Sequence, residues 1–270
     1  MDHDWMARGK EVIEIEIEAL ENVKRLIGPA FASAVELLAS CKGRVAVTGI
    51  GKSGLVGRKM AATFSSTGTP AYFLHPVEGA HGDLGAIREE DAIIAISYSG
   101  KTVELNAVLP AIRSLGARII AITGGLDSPL ASLSDIVLDV SVPREACPMI
   151  LAPTSSTTAT LALGDALAVC LLESKSFTAN DFKRYHPGGA LGPRLGLSVP
   201  DVMHTETLPL APVADTFGAA LQVLDAGGLG TALVPDAGGR LSGLVTAVDV
   251  RRAGRRCPIC RARPGAGGRP

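Results

Sequence analysis

The sequence predicts an α/β fold in which a doubly wound five-stranded parallel sheet is followed by a smaller α+β module. Between residues 44 and 193, five short aliphatic runs alternate with helical segments. Hydrophobic residues make up 47% of the 270 residues and aromatic residues only 4%, so Ala, Val, Ile and Leu supply the apolar bulk. Buried parallel strands show such continuous aliphatic runs. The pattern changes after a Gly/Pro-rich stretch that ends at Pro193, which marks the second module.

The N-terminal segment, residues 1–43, alternates acidic and apolar residues at helical spacing. It predicts two helices that pack on the sheet domain. Gly28-Pro29 separates them, because proline is tolerated in the first turn of a helix but not in its interior.

The sheet domain spans residues 44–193. Helical segments such as Ser53–Ser65 and Val103–Leu115 separate its strands, and Thr154–Glu173 follows as one long helix. Ligands bind outside the carboxyl ends of such strands, so the segments that directly follow strands are candidate sites. The predicted strands are Val45–Thr48, Ala71–Leu74, Ala92–Ser97, Arg118–Thr123 and Ile136–Ser141.

The second module covers residues 199–252. It predicts a helix over Asp215–Ala226 and two strands, Thr231–Pro235 and Leu241–Thr246, joined by a turn at Gly238-Gly239. Residues 253–270 are rich in Arg, Pro and Gly without periodicity, and we expect a disordered tail.

Charge and composition exclude several classes of protein. Seven of the 26 Lys and Arg residues lie beyond residue 250. The first 250 residues therefore contain 19 basic residues and all 27 acidic residues. Because acidic residues are in excess over these 250 residues, we expect no nucleic-acid partner. No uncharged apolar run reaches the length of a membrane span, and the acidic N-terminus does not match an export signal, so we expect a cytoplasmic protein. Five cysteines without framework spacing predict reduced thiols, and Cys257 and Cys260 lack the second pair of a structural zinc site.

The first strand ends in a glycine-rich turn, Gly49-Ile50-Gly51-Lys52-Ser53-Gly54. Its spacing matches a dinucleotide fingerprint, but His75-Pro76 follows the second strand where a ribose-binding acid would stand. A glycine turn at a helix N-terminus offers backbone N–H groups to an anion. The segment therefore predicts either a cradle for a terminal phosphate or a tight turn without a ligand.

The third strand ends in Ser97-Tyr98-Ser99-Gly100-Lys101-Thr102-Val103-Glu104. Helix capping accounts for one hydroxyl, with Glu104 completing a capping box. It does not account for three hydroxyls and a lysine, which predict a second phosphate cradle. Two cradles on neighbouring strands indicate a phosphorylated small molecule.

Both segments resemble the sugar isomerase (SIS) domain, and further motifs resemble the D-arabinose-5-phosphate isomerase family. The resemblance runs almost continuously from about residue 10 to about residue 252. The further motifs are Ser66-Thr67-Gly68-Thr69-Pro70, His75-Pro76, Ala80-His81-Gly82-Asp83-Leu84-Gly85, Glu145-Ala146-Cys147-Pro148, Ala152-Pro153-Thr154-Ser155-Ser156-Thr157-Thr158 and His186-Pro187-Gly188-Gly189-Ala190-Leu191-Gly192.

The resemblance implies an aldose–ketose isomerase that interconverts D-ribulose 5-phosphate and D-arabinose 5-phosphate through a cis-enediol, without a cofactor. The product would supply 3-deoxy-octulosonate for lipopolysaccharide or capsule. The resemblance also implies a homotetramer whose partner is a small sugar phosphate, with neither nucleic acid nor membrane involved.

The resemblance also implies roles for individual residues. We expect Glu145 or Glu104 to shuttle the proton, with a pKa raised by partial burial. His186 and His81 would act in ring opening and contact sugar hydroxyls, and Lys52 would stabilise the enediolate or hold the phosphate. The catalytic residues implied are Lys52, Glu104, Glu145 and His186.

Other positions match residues that contact the sugar phosphate or a metal. His75 matches a position that can take an inhibitory zinc ion. The substrate-binding residues implied are Gly51, Ser53, Gly68, Thr69, His81, Ser97, Ser99 and Thr102.

The second module, from Val199-Pro200-Asp201-Val202-Met203 to Asp249, resembles a single CBS repeat. Such repeats work in pairs, and we expect the second repeat to be missing. Val248 replaces the glycine that usually precedes the aspartate of this repeat.

Three alternatives remain open. The first is a SIS sensor that binds a sugar phosphate without turnover, although the roughly forty residues before the first strand contain no basic recognition helix. The second is an isomerase of a seven-carbon or amino sugar phosphate, which the motifs at Glu145 and His186 disfavour by resemblance. The third is a dehydrogenase that uses the Gly49–Gly54 turn.

Overall fold

A computed structural model of the chain describes residues 4–149, 151–186, 199–205, 207–212 and 216–256. The chain divides into two compact units, Met1–Gly196 and Leu197–Pro270.

The first unit alternates strands and helices after two N-terminal helices. A short 3₁₀ turn, Asp83–Ala86, follows the fourth helix. The elements are α1 (Trp5–Leu26), α2 (Pro29–Ser40), β1 (Val45–Gly49), α3 (Gly51–Ser66), β2 (Ala71–Leu74), α4 (Pro76–Ala80), β3 (Ala92–Ile96), α5 (Val103–Ser114), β4 (Arg118–Thr123), α6 (Pro129–Ser132), β5 (Ile136–Asp139), α7 (Ser155–Ser174) and α8 (Ala179–Tyr185).

The five strands form one parallel sheet in the order β2-β1-β3-β4-β5. The order reverses between β1 and β3, which are neighbours although β2 separates them in the chain. Gly49 at the end of β1 pairs in register with Ile96 at the end of β3. The loops that leave these two strands therefore start side by side, and a crevice opens between them.

Each face of the sheet carries its own hydrophobic core, because side chains of a strand point alternately to opposite faces. On one face Val47, Ile94 and Ile122 pack with residues of α2, α3 and α7. On the other face Ile93 and Ile119 pack with residues of α5. Helices on both faces confirm the predicted doubly wound fold, and the strand bounds agree with the predicted ones to within two residues.

The N-terminal helices pack on this core through α7. Asp4 caps α1 by accepting hydrogen bonds from the N–H groups of Met6 and Ala7 at 3.1 and 3.0 Å. The predicted break at Gly28-Pro29 is confirmed, since Pro29 is the first residue of α2. Among the described helices, α7 has the length and apolar composition of a membrane span, but half of it is buried inside the first unit, as expected of a core helix.

The second unit is described from residue 199 and contains a two-stranded antiparallel sheet. Its strands have the predicted bounds, and the turn between them is closed by a 3.0 Å hydrogen bond from Gly239 N–H to the Asp236 carbonyl. Three alanines, Ala211, Ala220 and Ala232, form the centre of a small core. The elements are α9 (Val199–Val202), α10 (Phe217–Ala226), β6 (Thr231–Pro235), β7 (Leu241–Thr246) and α11 (Ala247–Arg256).

The prediction that disorder begins at residue 253 is wrong for the first four residues, which belong to α11. The reason is a strong helix start. Asp249 accepts hydrogen bonds from the backbone N–H and the hydroxyl of Thr246 at 3.0 and 2.6 Å, and Thr246 Oγ1 accepts the Asp249 N–H at 3.2 Å. The rest of the predicted tail, with Cys257 and Cys260, lies outside the described residues.

Two glycines set the distance between β1 and α3. A Cβ added to Gly54 would lie 2.7 Å from the Gly49 carbonyl oxygen, a backbone atom that cannot move aside without distorting the strand. The absence of both side chains therefore lets the first turn of α3 sit directly on the end of β1.

We expect Gly54→Ala to lower the free energy of unfolding by about 1–3 kcal/mol, the usual cost of overpacking, although alanine in a helix otherwise favours folding. Gly85→Ala is the matched control, because a Cβ there would meet no atom within 4 Å. Urea unfolding of both variants checks this. Equal stability of the two variants would contradict the packing argument.

Candidate active site

The crevice between β1 and β3 receives two loops that each lead into a helix. The first loop turns at Gly51, whose φ of +60° is left-handed and whose Cβ position is open. Ile50 occupies the N-cap of α3 and provides no side-chain cap. The first N–H groups of α3 are thus not capped by a side chain, as an anion site at a helix N-terminus requires. Lys52 is exposed and Ser53 half-buried in this first turn.

The second loop joins β3 to α5 and is held by its own hydroxyls. Ser97, which is buried, shares a 2.8 Å hydrogen bond between its Oγ and Thr102 Oγ1. The same Ser97 Oγ accepts the Gly100 N–H at 3.1 Å, and Ser99 Oγ accepts the Lys101 N–H at 3.2 Å. Gly100 adopts a φ of +64°, and a Cβ there would overlap the Ser128 side chain. The hydroxyls of Ser97 and Thr102 therefore shape the loop.

A cavity of about 360 Å³ lies between these loops and the start of α7. It brings Lys52, Ser53 and Glu145 together, although they are far apart in the sequence. Its lining residues are Ile50, Lys52, Ser53, Val56, Tyr98, Glu145, Leu151, Pro153, Ser156, Thr157 and Thr160.

Glu145 is fixed by the first residues of α7. Its Oε2 accepts hydrogen bonds from the Thr154 N–H at 2.7 Å, the Thr154 hydroxyl at 2.9 Å and the Ser156 N–H at 3.4 Å. Partial burial acts to raise the pKa of Glu145, but the hydrogen bonds from Ser156 and Thr154 outweigh it and hold this pKa below its ordinary value. The expectation of a raised pKa is therefore wrong for Glu145, because the sequence did not reveal these donors. The neighbouring residue, Arg144, forms its ion pair with Glu18 instead of Glu145, with 3.4 Å between Arg144 Nε and Glu18 Oε2.

Tyr98 is a cavity residue that the sequence reasoning did not select. It lines the first cavity and also a second one of about 520 Å³, which shares Glu145 with the first. The Tyr98 hydroxyl accepts the Val142 N–H at 3.2 Å, so this side chain links the β3–α5 loop to the segment that carries Glu145. The sequence feature that could have identified Tyr98 is its position between Ser97 and Ser99, in the loop that follows the third strand.

Gly68 and Thr69 lie at the opposite edge of the sheet, because they precede β2 whereas the cavity lies beyond the ends of β1 and β3. A five-residue strand spans roughly 16 Å. Thr69 is buried and its hydroxyl accepts a 3.0 Å hydrogen bond from Lys175 Nζ, and Gly68 packs against Phe177. The expectation that these two residues join Lys52 in one site is therefore not met within a single chain.

His186 belongs to this opposite edge as well. It is the residue that directly follows α8, where its ring stacks on Phe182 with 3.8 Å between centroids and its Nδ1 lies 3.0 Å from the Phe182 carbonyl oxygen. The preceding Tyr185 stacks on Phe177, the residue that covers Gly68. The remainder of the predicted motif, residues 187–192, lies outside the described residues.

Three other predicted residues follow the carboxyl ends of strands without lining the cavity. Glu104 is exposed in the first turn of α5, and His81 is exposed at the end of α4. His75 precedes α4, and its buried Nδ1 has no hydrogen-bond partner in the described part of the chain. The described residues contain no group of three His, Cys, Asp or Glu side chains that could hold a metal ion.

Comparison with known proteins identifies the family. Residues 37–170 match the SIS domain. The arabinose 5-phosphate isomerase of Pseudomonas aeruginosa is 50% identical over 251 residues, which are 93% of this chain and 77% of that protein. The chain belongs to the arabinose 5-phosphate isomerase family. The arabinose 5-phosphate isomerase of Escherichia coli K12 is 48% identical over 250 residues, 92% of this chain and 76% of that protein.

A solved structure supports the same family. A protein of Escherichia coli CFT073, described as a complex with arabinose 5-phosphate, is 42% identical with a TM-score of 0.66. The match covers 69% of this chain and all of that one. As an arabinose 5-phosphate isomerase family member, the chain is a sugar-phosphate isomerase, which confirms the predicted class of enzyme.

The isomerase-family cavity suits the chemistry of a sugar phosphate. A carboxylate, Glu145, and an ammonium group, Lys52, line one small space at the N-termini of two helices. The carboxylate can accept a proton from carbon, and the ammonium group and helix N–H groups can stabilise the negative charge that results.

The hydrogen bonds to Glu145 also predict how stability depends on pH. Because the folded-state pKa is lowered, the stabilisation is present above the ordinary value of 4.5 and is lost as the pH falls through the lower folded-state value. We expect Glu145→Gln to lower the melting temperature at neutral pH and to lower it much less at about pH 3. Thermal unfolding of both proteins at the two pH values measures this. A deficit of equal size at both would contradict it.

Proposed function

We propose that the enzyme interconverts D-ribulose 5-phosphate and D-arabinose 5-phosphate through a cis-enediol, with the product serving 3-deoxy-octulosonate formation. The observation that carries the proposal is the meeting of Lys52 and Glu145 in one cavity at the strand-order reversal. The names of the Pseudomonas aeruginosa and Escherichia coli relatives, and the sugar-phosphate complex of the Escherichia coli CFT073 protein, support the choice of substrate.

Glu145 is the proton shuttle in this proposal. It removes the proton from C2 of the open-chain aldose, the electron pair forms the C1–C2 double bond of the enediolate, and the same proton returns to C1 to give the ketose. A hydroxyl proton passes from O2 to O1 to balance the reaction. Because its pKa is held below the ordinary value, the carboxylate is ionised at neutral pH and can accept a proton.

The geometry favours Glu145 over Glu104 for this role. Glu145 lines the cavity beside Lys52, whereas Glu104 is exposed in the first turn of α5 and does not line it. A base must lie within hydrogen-bond reach of the proton that it removes.

Lys52 compensates for the weak basicity of Glu145. A carboxylate with a lowered pKa gains little by taking a proton from carbon, so the enediolate must be stabilised by positive charge. Lys52 and the N–H groups of α3 supply that charge from one side of the cavity. The phosphate is then left for the β3–α5 loop, where Ser99, Lys101 and the start of α5 are available.

The residues at the opposite edge of the sheet contribute, in this proposal, to the active site of a second copy of the chain. We assign His186, Gly68 and Thr69 to the sugar-phosphate site of a neighbouring subunit in a homotetramer, with His186 and His81 serving ring opening and hydroxyl contacts. The split between the two edges of the sheet supports this assignment, as do the exposed apolar side chains of Ile13 and Ile17 on α1. We place the tetramer in the cytoplasm. The second unit is assigned as one CBS repeat.

Phosphorus NMR of the full chain with D-ribulose 5-phosphate, in chelator, tests the reaction. We expect the same ratio of the two sugars from either side. Glu145→Gln and Lys52→Met should each slow turnover by about 10²–10⁴-fold, the usual contribution of a proton-transfer or charge-stabilising group. Lys24→Met, which changes an exposed lysine of α1, should turn over normally. Full activity of folded Glu145→Gln would overturn the shuttle assignment, and binding without conversion by the unchanged chain would indicate a sensor.

Subunit complementation tests the shared site. Mixed tetramers of Lys52→Met and His186→Ala should recover part of the activity that each variant lacks, because some sites then combine an intact cavity with an intact opposite edge. Mixed tetramers of Lys52→Met and Glu145→Gln are the matched control and should stay inactive, since both residues come from the same chain. No recovery in the first mixture, with mixed tetramers shown by mass spectrometry, would contradict a shared site.

A further inference from the structure

Thr154 occupies the N-cap position of α7, yet its hydroxyl does not cap that helix. A threonine at this position ordinarily accepts a hydrogen bond from an N–H group of the first turn. Here the hydroxyl donates to Glu145 Oε2 at 2.9 Å and accepts the Ala146 N–H at 2.9 Å. One side chain thus holds both the carboxylate of Glu145 and the backbone of the next residue.

Glu145 in turn performs the capping that Thr154 does not. Its Oε2 accepts the N–H groups of Thr154 at 2.7 Å and Ser156 at 3.4 Å. Three donors therefore converge on one oxygen of the carboxylate. Since that oxygen is occupied, proton transfer with a substrate falls to Oε1.

We propose that Thr154 is the positioning residue of the isomerase reaction, which clamps Glu145 so that one carboxylate oxygen is fixed and the other serves the substrate. The proposal rests on the assignment of Glu145 as the proton shuttle. Thr154 does not itself line the cavity, whereas its neighbours Pro153 and Ser156 do.

The direction of the Thr154 hydroxyl separates this role from helix stability. A hydroxyl needed only for the start of α7 would bond to the first turn of that helix, but this one bonds to residues eight and nine positions upstream, Ala146 and Glu145. Without it, Glu145 loses one donor and Ala146 loses the acceptor of its N–H group. The carboxylate then becomes less well oriented, and small misplacements of a reacting group reduce rates steeply.

Thr154→Val tests the clamp, because valine keeps the shape and the backbone N–H but removes the hydroxyl. We expect kcat to fall on the order of tenfold, as for loss of a hydrogen bond to a charged group, while KM for the sugar phosphate stays unchanged. The acid limb of the pH–rate profile should move to higher pH, because a carboxylate with fewer donors is protonated more easily. Thr154→Ser keeps the hydroxyl and should restore both kcat and the acid limb.

Thr158→Val is the matched control. It removes a hydroxyl from the same helix, and this hydroxyl also bonds to a carboxylate, Glu16 Oε2, at 3.0 Å. Thr158→Val should leave kcat and the pH profile unchanged even if it lowers stability. If Thr154→Val does not fold, Thr154→Ala measured below its melting temperature takes its place.

The outcomes separate the clamp from the proposed reaction. An unshifted acid limb and full kcat in Thr154→Val, together with an inactive Glu145→Gln, would overturn the clamp and leave the shuttle assignment intact. Full kcat in a folded Glu145→Gln would instead overturn the shuttle. A kcat loss in Thr158→Val equal to that in Thr154→Val would also overturn the clamp, because the effect would then follow from helix stability.

Discussion

The reversal of strand order between β1 and β3 is the constraint on which the site depends. From β1 the chain continues to β2, its neighbour on one side in the sheet. From β3 it continues to β4, its neighbour on the other side, so the two connections run in opposite directions. The pairing of Gly49 with Ile96 then brings two helix N-termini to one crevice. Chain topology alone thus provides partial positive charge at the crevice where the proposed function places the anionic substrate. The backbone defines the position of this crevice, and the side chains adjust its shape and charge.

In the proposed function one carboxylate, that of Glu145, serves both stability and chemistry. The donors from Thr154 and Ser156 stabilise its charge and the start of a 20-residue helix. The same hydrogen bonds make it a weaker base, so the barrier to proton transfer rises unless the enediolate is stabilised in return. In the proposed mechanism Lys52, which lines the same cavity, supplies that stabilisation. The proposed mechanism therefore requires the two residues to function as a pair, although the sequence separates them by more than ninety positions.

Regular structure could be predicted from the sequence because its causes are local. Aliphatic runs set the five strands, and Pro29 set the break between the first two helices. The arrangement of the site could not be predicted in the same way. The donors to Glu145 come from another element, and the separation of Thr69 from Lys52 by the length of a strand depends on which end of a strand each residue adjoins. The extent of α11 was missed because its arginines suggested disorder, whereas the cap between Thr246 and Asp249 starts a helix.

The β3–α5 loop has a consequence for affinity. Ser97 and Thr102 bond to each other, and Gly100 allows the turn that this requires. The loop thus loses its conformational entropy when the chain folds and has little left to lose when a ligand arrives. For a phosphate bound at this loop, where the proposed function places it, the affinity should then depend mainly on the charge and shape of the anion. Inorganic phosphate and phosphonate analogues do not need to order the loop. They should therefore compete with the sugar phosphate more strongly than their small size alone would suggest.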